Sequence, residues 1–307
     1  MGGHDMSPNS MKLKQKLTTR YTRAQLNILS LVSLRKSAEK AFRVFVTPKK
    51  RRKGKLPPIF GTGEALSFRF DGHSVRGHRW QPYSDALRPS AETEAPRKVL
   101  IAHGFESASR VFEHYIAALL KKGYEVVAFD APGHGLSGGK RLFIPDYARM
   151  LSAVRQNYGP FHSWLAHSLG GLALALSLED MPVDEDAPMD KDRRLVLVAP
   201  APGIARAFDE WAAALQLPKE VVREVEEYVK EISGHPLEWY SLRRVIGSPG
   251  VEVLYVQDEG DAVVSLDEAK LIEGDGHKNI RFLFTTGLGH KKIYKDQGIL
   301  DQIVEFL

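Results

Sequence analysis

Ser168 has the residue type and the local setting that most clearly favour chemistry. It lies in WLAHSLGGLALA (164–175), where an apolar strand pattern meets a helix pattern rich in Ala and Leu. A strand–turn–helix junction of this kind strains the backbone of the serine and raises its hydroxyl above the sheet. The small residues Ala166 and Gly170 let the neighbouring backbones approach, although the usual G-x-S-x-G pattern has glycine at both places. The segment therefore predicts a nucleophilic serine.

A nucleophilic serine needs a base, and the base needs an acid that holds its tautomer. His290 closes the Gly-rich segment TTGLGH after the last predicted strand, and Asp261 lies four residues after another predicted strand. Open α/β sheets place their sites at the carboxyl ends of strands, so these groups are expected to meet there. Asp258 and Glu259 are alternative acids, and the loop position favours Asp261.

Two backbone amides are candidates for an oxyanion hole. His103-Gly104-Phe105 directly follows the strand pattern VLIA, and a Gly-rich turn there can aim the amide of Phe105 across the top of the sheet. Together with the amide of Leu169 it would supply two donors for a developing oxyanion. His134, in the turn DAPGHGLS, and His167, beside the serine, are interpreted as structural.

The elements that position these residues follow an α/β pattern. The segments 65–70 and 73–80, joined by Asp71-Gly72, predict an antiparallel hairpin. Short apolar runs, each followed by a helical pattern, lie at 99–103, 124–130, 161–167, 194–199, 251–257 and 280–285. The pattern predicts a mostly parallel eight-stranded sheet, opened by the hairpin, with helices on both faces.

One interval is too long for an ordinary crossover between strands. Residues 201–250 carry two or three helical patterns and are interpreted as an inserted helical lid. Its aromatic residues suggest an apolar substrate pocket, although amphipathic helices also bury aromatic side chains simply to pack. These residues are Phe208, Trp211, Tyr228, Trp239 and Tyr240.

The amino-terminal segment is strongly basic. Residues 1–55 hold 15 Lys or Arg and two acids, which is a net charge of +13 and leaves −8 for residues 56–307. We interpret 1–10 as a leader or a disordered end, 11–59 as a basic arm with a helix or broken helix pair from about Thr22 to Val46, and 60–307 as the main domain. Because the excess charge belongs to the arm, no nucleic-acid partner is expected.

Composition excludes several classes of site. The chain of 307 residues has no cysteine, so disulfides, thiolate metal sites and a cysteine nucleophile are excluded. His73 and His78 are spaced to lie on opposite faces of a strand, and no metal is expected. Neither G-x-G-x-x-G after a strand nor a P-loop occurs, so we expect no cofactor. No apolar run approaches the length of a transmembrane helix.

These motifs together resemble the α/β-hydrolase fold superfamily over roughly residues 60–307. The resemblance rests on HGF (103–105), DAPGHGLS (130–137), AHSLGG (166–171), QDEGDAVV (257–264) and GLGH (287–290). Within the superfamily the chain is similar to bacterial serine hydrolases of the esterase, lipase and peptidase type. The resemblance implies Ser168 as nucleophile, His290 as base, Asp261 as orienting acid, and the amides of Phe105 and Leu169 as the oxyanion hole.

The leading hypothesis is a serine hydrolase that cleaves a carboxylic ester of small size with an apolar acyl group. A peptidase or a thioesterase can use the same triad, and both stay open as alternatives. In a different class, a binding or scaffolding protein would use the basic arm on anionic membranes; a helix with a solvated basic face is preferred to it. We expect a cytoplasmic protein, which under the membrane alternative would be peripheral to the inner face of the membrane.

Overall fold

The computed structural model describes residues 8–51, 54–82, 96–179, 193–247 and 250–307, with side chains from residue 17 onward. Its contacts divide the chain into two compact units. The first consists of Met1–Val46 and Gly203–Trp239, and the second of Thr47–Pro202 and Tyr240–Leu307. The predicted leader lies mostly outside the described residues, because 1–7 are not described.

The second unit contains an eight-stranded sheet, as the sequence predicts. Its strands are β1 (Glu64–Phe70), β2 (His73–Trp80), β3 (Lys98–Ala102), β4 (Glu125–Phe129), β5 (Ser163–His167), β6 (Arg194–Val198), β7 (Glu252–Asp258) and β8 (Ile280–Thr285), in the spatial order β1-β2-β4-β3-β5-β6-β7-β8. β1 pairs antiparallel with β2, and β2 antiparallel with β4. The other pairings are parallel. The predicted fold class is confirmed.

Helices cover the sheet on both faces. The helices of this unit are α3 (Glu113–Lys121), α4 (Ile144–Tyr158), α5 (Leu169–Leu178), α8 (Leu242–Val245), α9 (Leu266–Gly274), α10 (Gly289–Lys292) and α11 (Gln297–Phe306). α3 and α11 share a core with one face of the central strands. α5 contacts β3 and β5 and packs against α4. Every residue of β4 and β5 is buried, which is why these strands are nearly continuous apolar runs.

The first unit is helical and combines two distant parts of the chain. It contains α1 (Pro8–Val32), α2 (Leu34–Phe45), α6 (Ala205–Leu215) and α7 (Lys219–Ser233). α1 contacts α2 and α6, and α2 packs along α7. The ring of Phe45 lies 5.4 Å from those of both Phe208 and Trp211, and Phe42 lies 5.5 Å from Tyr228. Three of the five aromatic residues, for which the sequence leaves both a pocket lining and simple helix packing open, thus pack against α2.

The helix of the basic arm is longer than the sequence pattern predicts. α1 begins at Pro8 and not near Thr22. The sequence pattern missed its first turns because they lack the regular apolar period that marks a buried helix. Proline is well accepted in a first helical turn, where its missing N–H costs nothing. Of the two alternatives, one helix or a broken pair, the structure has the pair, with the break at Ser33. The Ser33 hydroxyl accepts a hydrogen bond from the amide of Lys36 and caps α2.

Candidate active site

Ser168 occupies a strained turn between β5 and α5. Its φ of +56° and ψ of −127° are rare for residues other than glycine, and this backbone conformation costs roughly 1–3 kcal/mol. Backbone hydrogen bonds hold Ser168 in this conformation. The amide of Ser168 donates to the carbonyl of Val198 at 3.0 Å, and its carbonyl accepts from the amides of Gly171 at 2.9 Å and Ala201 at 3.0 Å. The serine is therefore clamped between the start of α5 and the end of β6.

Small residues let the strands and loops approach at this turn. A Cβ on Gly170 would lie 2.5 Å from the carbonyl oxygen of His103, and one on Gly104 would lie 3.0 Å from the Cβ of Ser168. Glycine is therefore required sterically at position 170 and favoured at 104. Ala166, which stands where the usual motif has glycine, is fully buried in β5. Its single methyl group is accommodated, so the departure from the motif leaves the turn intact.

The structure brings together the serine, histidine and aspartate that the sequence selects. His290 Nε2 lies 3.0 Å from Ser168 Oγ, and His290 Nδ1 lies 2.8 Å from Asp261 Oδ2. His290 belongs to α10, which follows β8, and Asp261 belongs to the loop that follows β7. This is the geometry in which an imidazole can take the serine proton while the carboxylate orients its ring.

Asp261 is held as an ionised hydrogen-bond acceptor. Its Oδ1 accepts from the amides of Val263 at 2.7 Å and Val264 at 3.0 Å, which leaves Oδ2 directed at His290. Burial by itself raises the pKa of Asp261, but the hydrogen bonds from His290, Val264 and Val263 outweigh burial and lower the pKa below its ordinary value. A carboxylate held in this way favours the imidazole tautomer with its proton on Nδ1.

Asp258 has a different task. It accepts hydrogen bonds from the amides of Gly260 at 3.0 Å and Leu288 at 2.9 Å and from the Thr285 hydroxyl at 2.8 Å. Burial raises the pKa of Asp258, and these bonds, with one from the amide of Gly289, lower it below its ordinary value. Asp258 thus ties the loop that carries His290 to the end of β7. The side chain of Glu259 is exposed.

The amides proposed for the oxyanion hole lie at the two expected turns. Leu169 is the first residue of α5, and Phe105 lies in the turn after β3. In the described ranges the structure gives neither amide a hydrogen-bond acceptor. Because N–H groups at a helix start point outward along its axis, the Leu169 amide is suited to bind an anion.

Two buried histidines hold the turn that contains Phe105. His103 Nε2 accepts from the amide of Ala131 at 2.9 Å, and His134 Nε2 accepts from the amide of Glu106 at 3.0 Å. Their Nδ1 atoms lie within 2.9 Å of backbone carbonyls, so each ring is neutral with its proton on Nδ1. Burial lowers the pKa of His103 and lowers that of His134 to about 4.

His167 also acts on the site through the backbone. Its Nε2 lies 3.0 Å from the carbonyl oxygen of His290, and its ring packs against the rings of His290 and Tyr294. Burial and the neighbouring His290 lower the pKa of His167 to about 3, so the ring stays neutral and can donate to that carbonyl. The sequence interpretation of His134 and His167 as structural agrees with these bonds. The role of His103 in holding this turn was not predicted from the sequence, although its position between a strand and a Gly-containing turn could have indicated it.

The sequence matches one known protein family over much of the unit that contains the sheet. The family described as Serine aminopeptidase, S33 matches residues 93–276, which is more than half of the chain. The chain belongs to this family. Its α/β-hydrolase fold agrees with the resemblance drawn from the motifs. The family is one of serine hydrolases.

Other known proteins share the fold at low sequence identity. An esterase of Pyrococcus furiosus is 18% identical, with a TM-score of 0.58 over 85% of this chain and 97% of its own. An esterase of Exiguobacterium antarcticum is 16% identical, with a TM-score of 0.57 over 79% and 99%. A serine hydrolase-like protein of Dictyostelium discoideum is 26% identical over 129 residues. The matched segment is 40% of this chain and 33% of that relative, so this chain spans only about a third of the relative's length. The structural likenesses establish the fold alone.

In this hydrolase, His134→Ala is expected to lower kcat about 10- to 100-fold with little change in KM. The substitution removes the acceptor of the Glu106 amide and frees the turn that carries the Phe105 amide. Steady-state kinetics check this. His134→Gln, which offers another acceptor, should recover part of kcat, whereas equal loss in both variants would contradict a positioning role.

The unfolding free energy is expected to decrease as the pH falls from about 6.5 towards 4. The pKa values of His134 and His167 are about 4 and about 3 in the fold, below the ordinary 6.5, so in this range the unfolded chain binds protons that the folded chain does not. Each group contributes up to about 1.4 kcal/mol per pH unit. Urea unfolding at several pH values measures the slope. His134→Gln should reduce it, and an unchanged slope would contradict the assignment.

No metal site accompanies these groups in the parts of the chain that the structure describes. Among those residues, no three His, Cys, Asp or Glu side chains gather closely enough to hold a metal ion. His73 and His78 lie in β2, where His78 stacks on Trp80. The absence of a metal requirement remains a prediction.

Proposed function

We propose that the protein is a serine hydrolase that cleaves a carboxylic ester through an acyl-enzyme. The observation that carries the proposal is the continuous pair of hydrogen bonds from Ser168 Oγ through His290 to Asp261, at 3.0 Å and 2.8 Å. Membership of the family described as Serine aminopeptidase, S33 independently supports a serine hydrolase, and the choice of an ester rests on the arguments below. The geometry and chemistry of these residues support the catalytic roles proposed for them.

In the first half-reaction, Ser168 Oγ attacks the ester carbonyl while His290 Nε2 accepts the hydroxyl proton. The carbonyl oxygen acquires negative charge and lies between the amides of Phe105 and Leu169. When the tetrahedral intermediate collapses, His290 gives its proton to the departing alcohol, and the acyl group remains on the serine. Asp261 stays ionised throughout and stabilises the imidazolium.

In the second half-reaction, water takes the place of the alcohol. His290 removes a proton from the water, which attacks the acyl carbonyl, and the same two amides bind the oxyanion. Collapse of this intermediate returns the proton to Ser168 and releases the carboxylic acid. Because the neutral rings of His103 and His134 fix the Phe105 turn, its amide needs little reorganisation during either step.

Four carboxylates at or just after the carboxyl ends of β3, β4 and β7 already accept hydrogen bonds from the protein, which supports an ester over a peptide with a free amino terminus. An aminopeptidase must hold the α-ammonium group of its substrate, and a carboxylate is the usual partner for such a cation. Asp130, Asp258 and Asp261 each accept hydrogen bonds from protein amides, and Glu106 accepts from the amide of Lys49. Since these carboxylates are engaged in holding loops, we propose an uncharged acyl group.

Exposed apolar side chains at the same edge of the sheet support an apolar substrate. Val263, two residues after Asp261, is 65% exposed, and Leu136, in the turn after β4, is 43% exposed. An apolar acyl chain would remove such side chains from water, which contributes about 25 cal/mol per Å². We therefore propose an acyl group of several carbons.

A fluorophosphonate probe and a substrate panel test the proposal together. The probe should label Ser168 covalently, as located by peptide mass spectrometry, and labelling should vanish in Ser168→Ala but persist in Ser67→Ala, which changes an exposed serine of the hairpin. p-Nitrophenyl esters of increasing acyl length should be turned over faster than an aminoacyl anilide or an acyl thioester. Absence of labelling would reject the serine mechanism. Faster turnover of the anilide or the thioester would reject the ester assignment in favour of that class.

A further inference from the structure

Helix α1 carries large apolar side chains on two opposite faces. Leu26 is fully buried, and its carbonyl accepts a hydrogen bond from Ser37 Oγ of α2 at 2.9 Å. On the other side, five large side chains are mostly exposed: Leu17 (57%), Tyr21 (65%), Ile28 (66%), Leu31 (87%) and Val32 (79%). One apolar face of α1 is therefore used for packing within its unit, and the other faces solvent.

The exposed residues form one stripe along the helix. At about 100° per residue they all lie within roughly 60° of Leu17, whereas Leu26 lies about 180° away. From Leu17 to Val32 the stripe is about 22 Å long. Single exposed apolar residues are common on protein surfaces, but a continuous stripe of this size marks an interaction surface. Leu34, just after the break at Ser33, is 41% exposed and follows the end of the stripe.

The charge of α1 indicates what the stripe would contact. Its 25 residues include five cations and no acid: Lys12, Lys14, Lys16, Arg20 and Arg23. The acids of the same unit lie mainly on α6 and α7, and two of the α7 glutamates, Glu224 and Glu231, pair with Arg35 of α2 at 3.6 Å and 2.6 Å. Across the described residues, no carboxylate pairs with Arg20 or Arg23.

We propose that α1 binds the surface of an anionic lipid bilayer as an interfacial helix. The apolar stripe would enter the boundary between headgroups and acyl chains, with Tyr21 at headgroup level, while Arg20 and Arg23 contact lipid phosphates. A cationic helix with one free apolar face is the usual form of such an anchor. In the described part of the chain no helix is both long and apolar enough to cross a membrane, so α1 would lie on the bilayer.

Co-sedimentation of the full chain with vesicles tests the proposal without any measurement of turnover. Vesicles of phosphatidylcholine with 30% phosphatidylserine should bind at least about tenfold more protein than phosphatidylcholine alone at low salt. Binding should weaken as ionic strength rises past about 0.15 M, where the Debye length is about 8 Å. Absence of binding to the anionic vesicles at low salt would overturn the proposal.

Paired variants separate the apolar stripe from the charge. Leu31→Ser with Val32→Ser should reduce binding at least about tenfold, and Arg20→Gln with Arg23→Gln should reduce it roughly tenfold. The matched controls change side chains of α9, α3 and a loop. Leu271→Ser removes an apolar side chain that is 50% exposed, and Lys121→Gln with Lys140→Gln removes two exposed cations. Both controls should bind as the unchanged chain does.

Two other outcomes would overturn the proposal. If the charge variants lose binding but Leu31→Ser with Val32→Ser does not, the attraction is electrostatic only and the stripe has no part in it. If light scattering without lipid shows a dimer that the Leu31→Ser, Val32→Ser variant cannot form, a second copy of the chain covers the stripe. The substituted side chains are exposed, so thermal melting should show an unchanged fold in every variant.

Discussion

Ser168→Ala and His290→Ala are each expected to lower kcat/KM for a small ester by about 10⁴-fold or more. Ser168 Oγ and His290 Nε2 lie 3.0 Å apart and act in the same proton transfer, so removing either one disables both. The double variant should therefore be little slower than either single variant. Initial rates with a p-nitrophenyl ester measure the loss.

The control for this prediction keeps the fold and changes a serine outside the site. Ser67→Ala, in the exposed hairpin strand β1, should keep the full rate. Circular dichroism should show that all the variants are folded, because Ser168→Ala removes only one oxygen atom and leaves the packing of the Cβ unchanged. A Ser168→Ala variant that retains more than about a tenth of the activity would show that another group is the nucleophile.

Asp261→Asn is expected to lower kcat by about 10³- to 10⁴-fold. Its Oδ2 accepts from His290 Nδ1 at 2.8 Å, and Oδ1 is occupied by the amides of Val263 and Val264. With Oδ1 held by those two donors, the amide nitrogen of an asparagine would face His290 and favour the tautomer with its proton on Nε2. That tautomer cannot accept the proton of Ser168. Steady-state kinetics at neutral pH measure the effect.

Asp258→Asn is the matched comparison, since it makes the same change three residues away. Asp258 accepts from Leu288, Gly260 and Thr285 and does not contact the imidazole, so the variant should lose stability and keep kcat within about tenfold. A melting temperature several degrees lower would reflect the weakened loop. The reverse pattern, with Asp261→Asn nearly as fast as the unchanged chain and Asp258→Asn slow, would exchange the two roles.

The sheet was predictable because its signal is local. A parallel strand covered on both faces is a short apolar run, and the intervening helices have their own period, so each βα repeat can be read from a few adjacent residues. The hairpin was visible for the same reason, since Asp71-Gly72 occupies its turn with positive φ at both residues. Only the strand order required the folded structure.

The serine turn was equally local, whereas its partners were less certain from the sequence. Small residues around Ser168 signalled a close backbone approach, and the histidine followed a late strand. The choice between Asp258 and Asp261 depended on where two carboxylates of one loop point. That is decided by the amides of Val263, Val264 and Leu288, which meet the carboxylates only in the folded loop.

By itself, the sequence determined the fold class and the strand–helix turn at Ser168, because each depends on residues close together in the chain. It also gave the chain order of the three candidate catalytic groups. The tertiary structure alone decided which distant parts share a surface. Helix α2 packs along α7, nearly two hundred residues later, and takes up aromatic side chains that could equally have lined a pocket. The hydrophobic period of a helix cannot predict such a pairing. It shows which face of the helix is buried, but not which element covers that face.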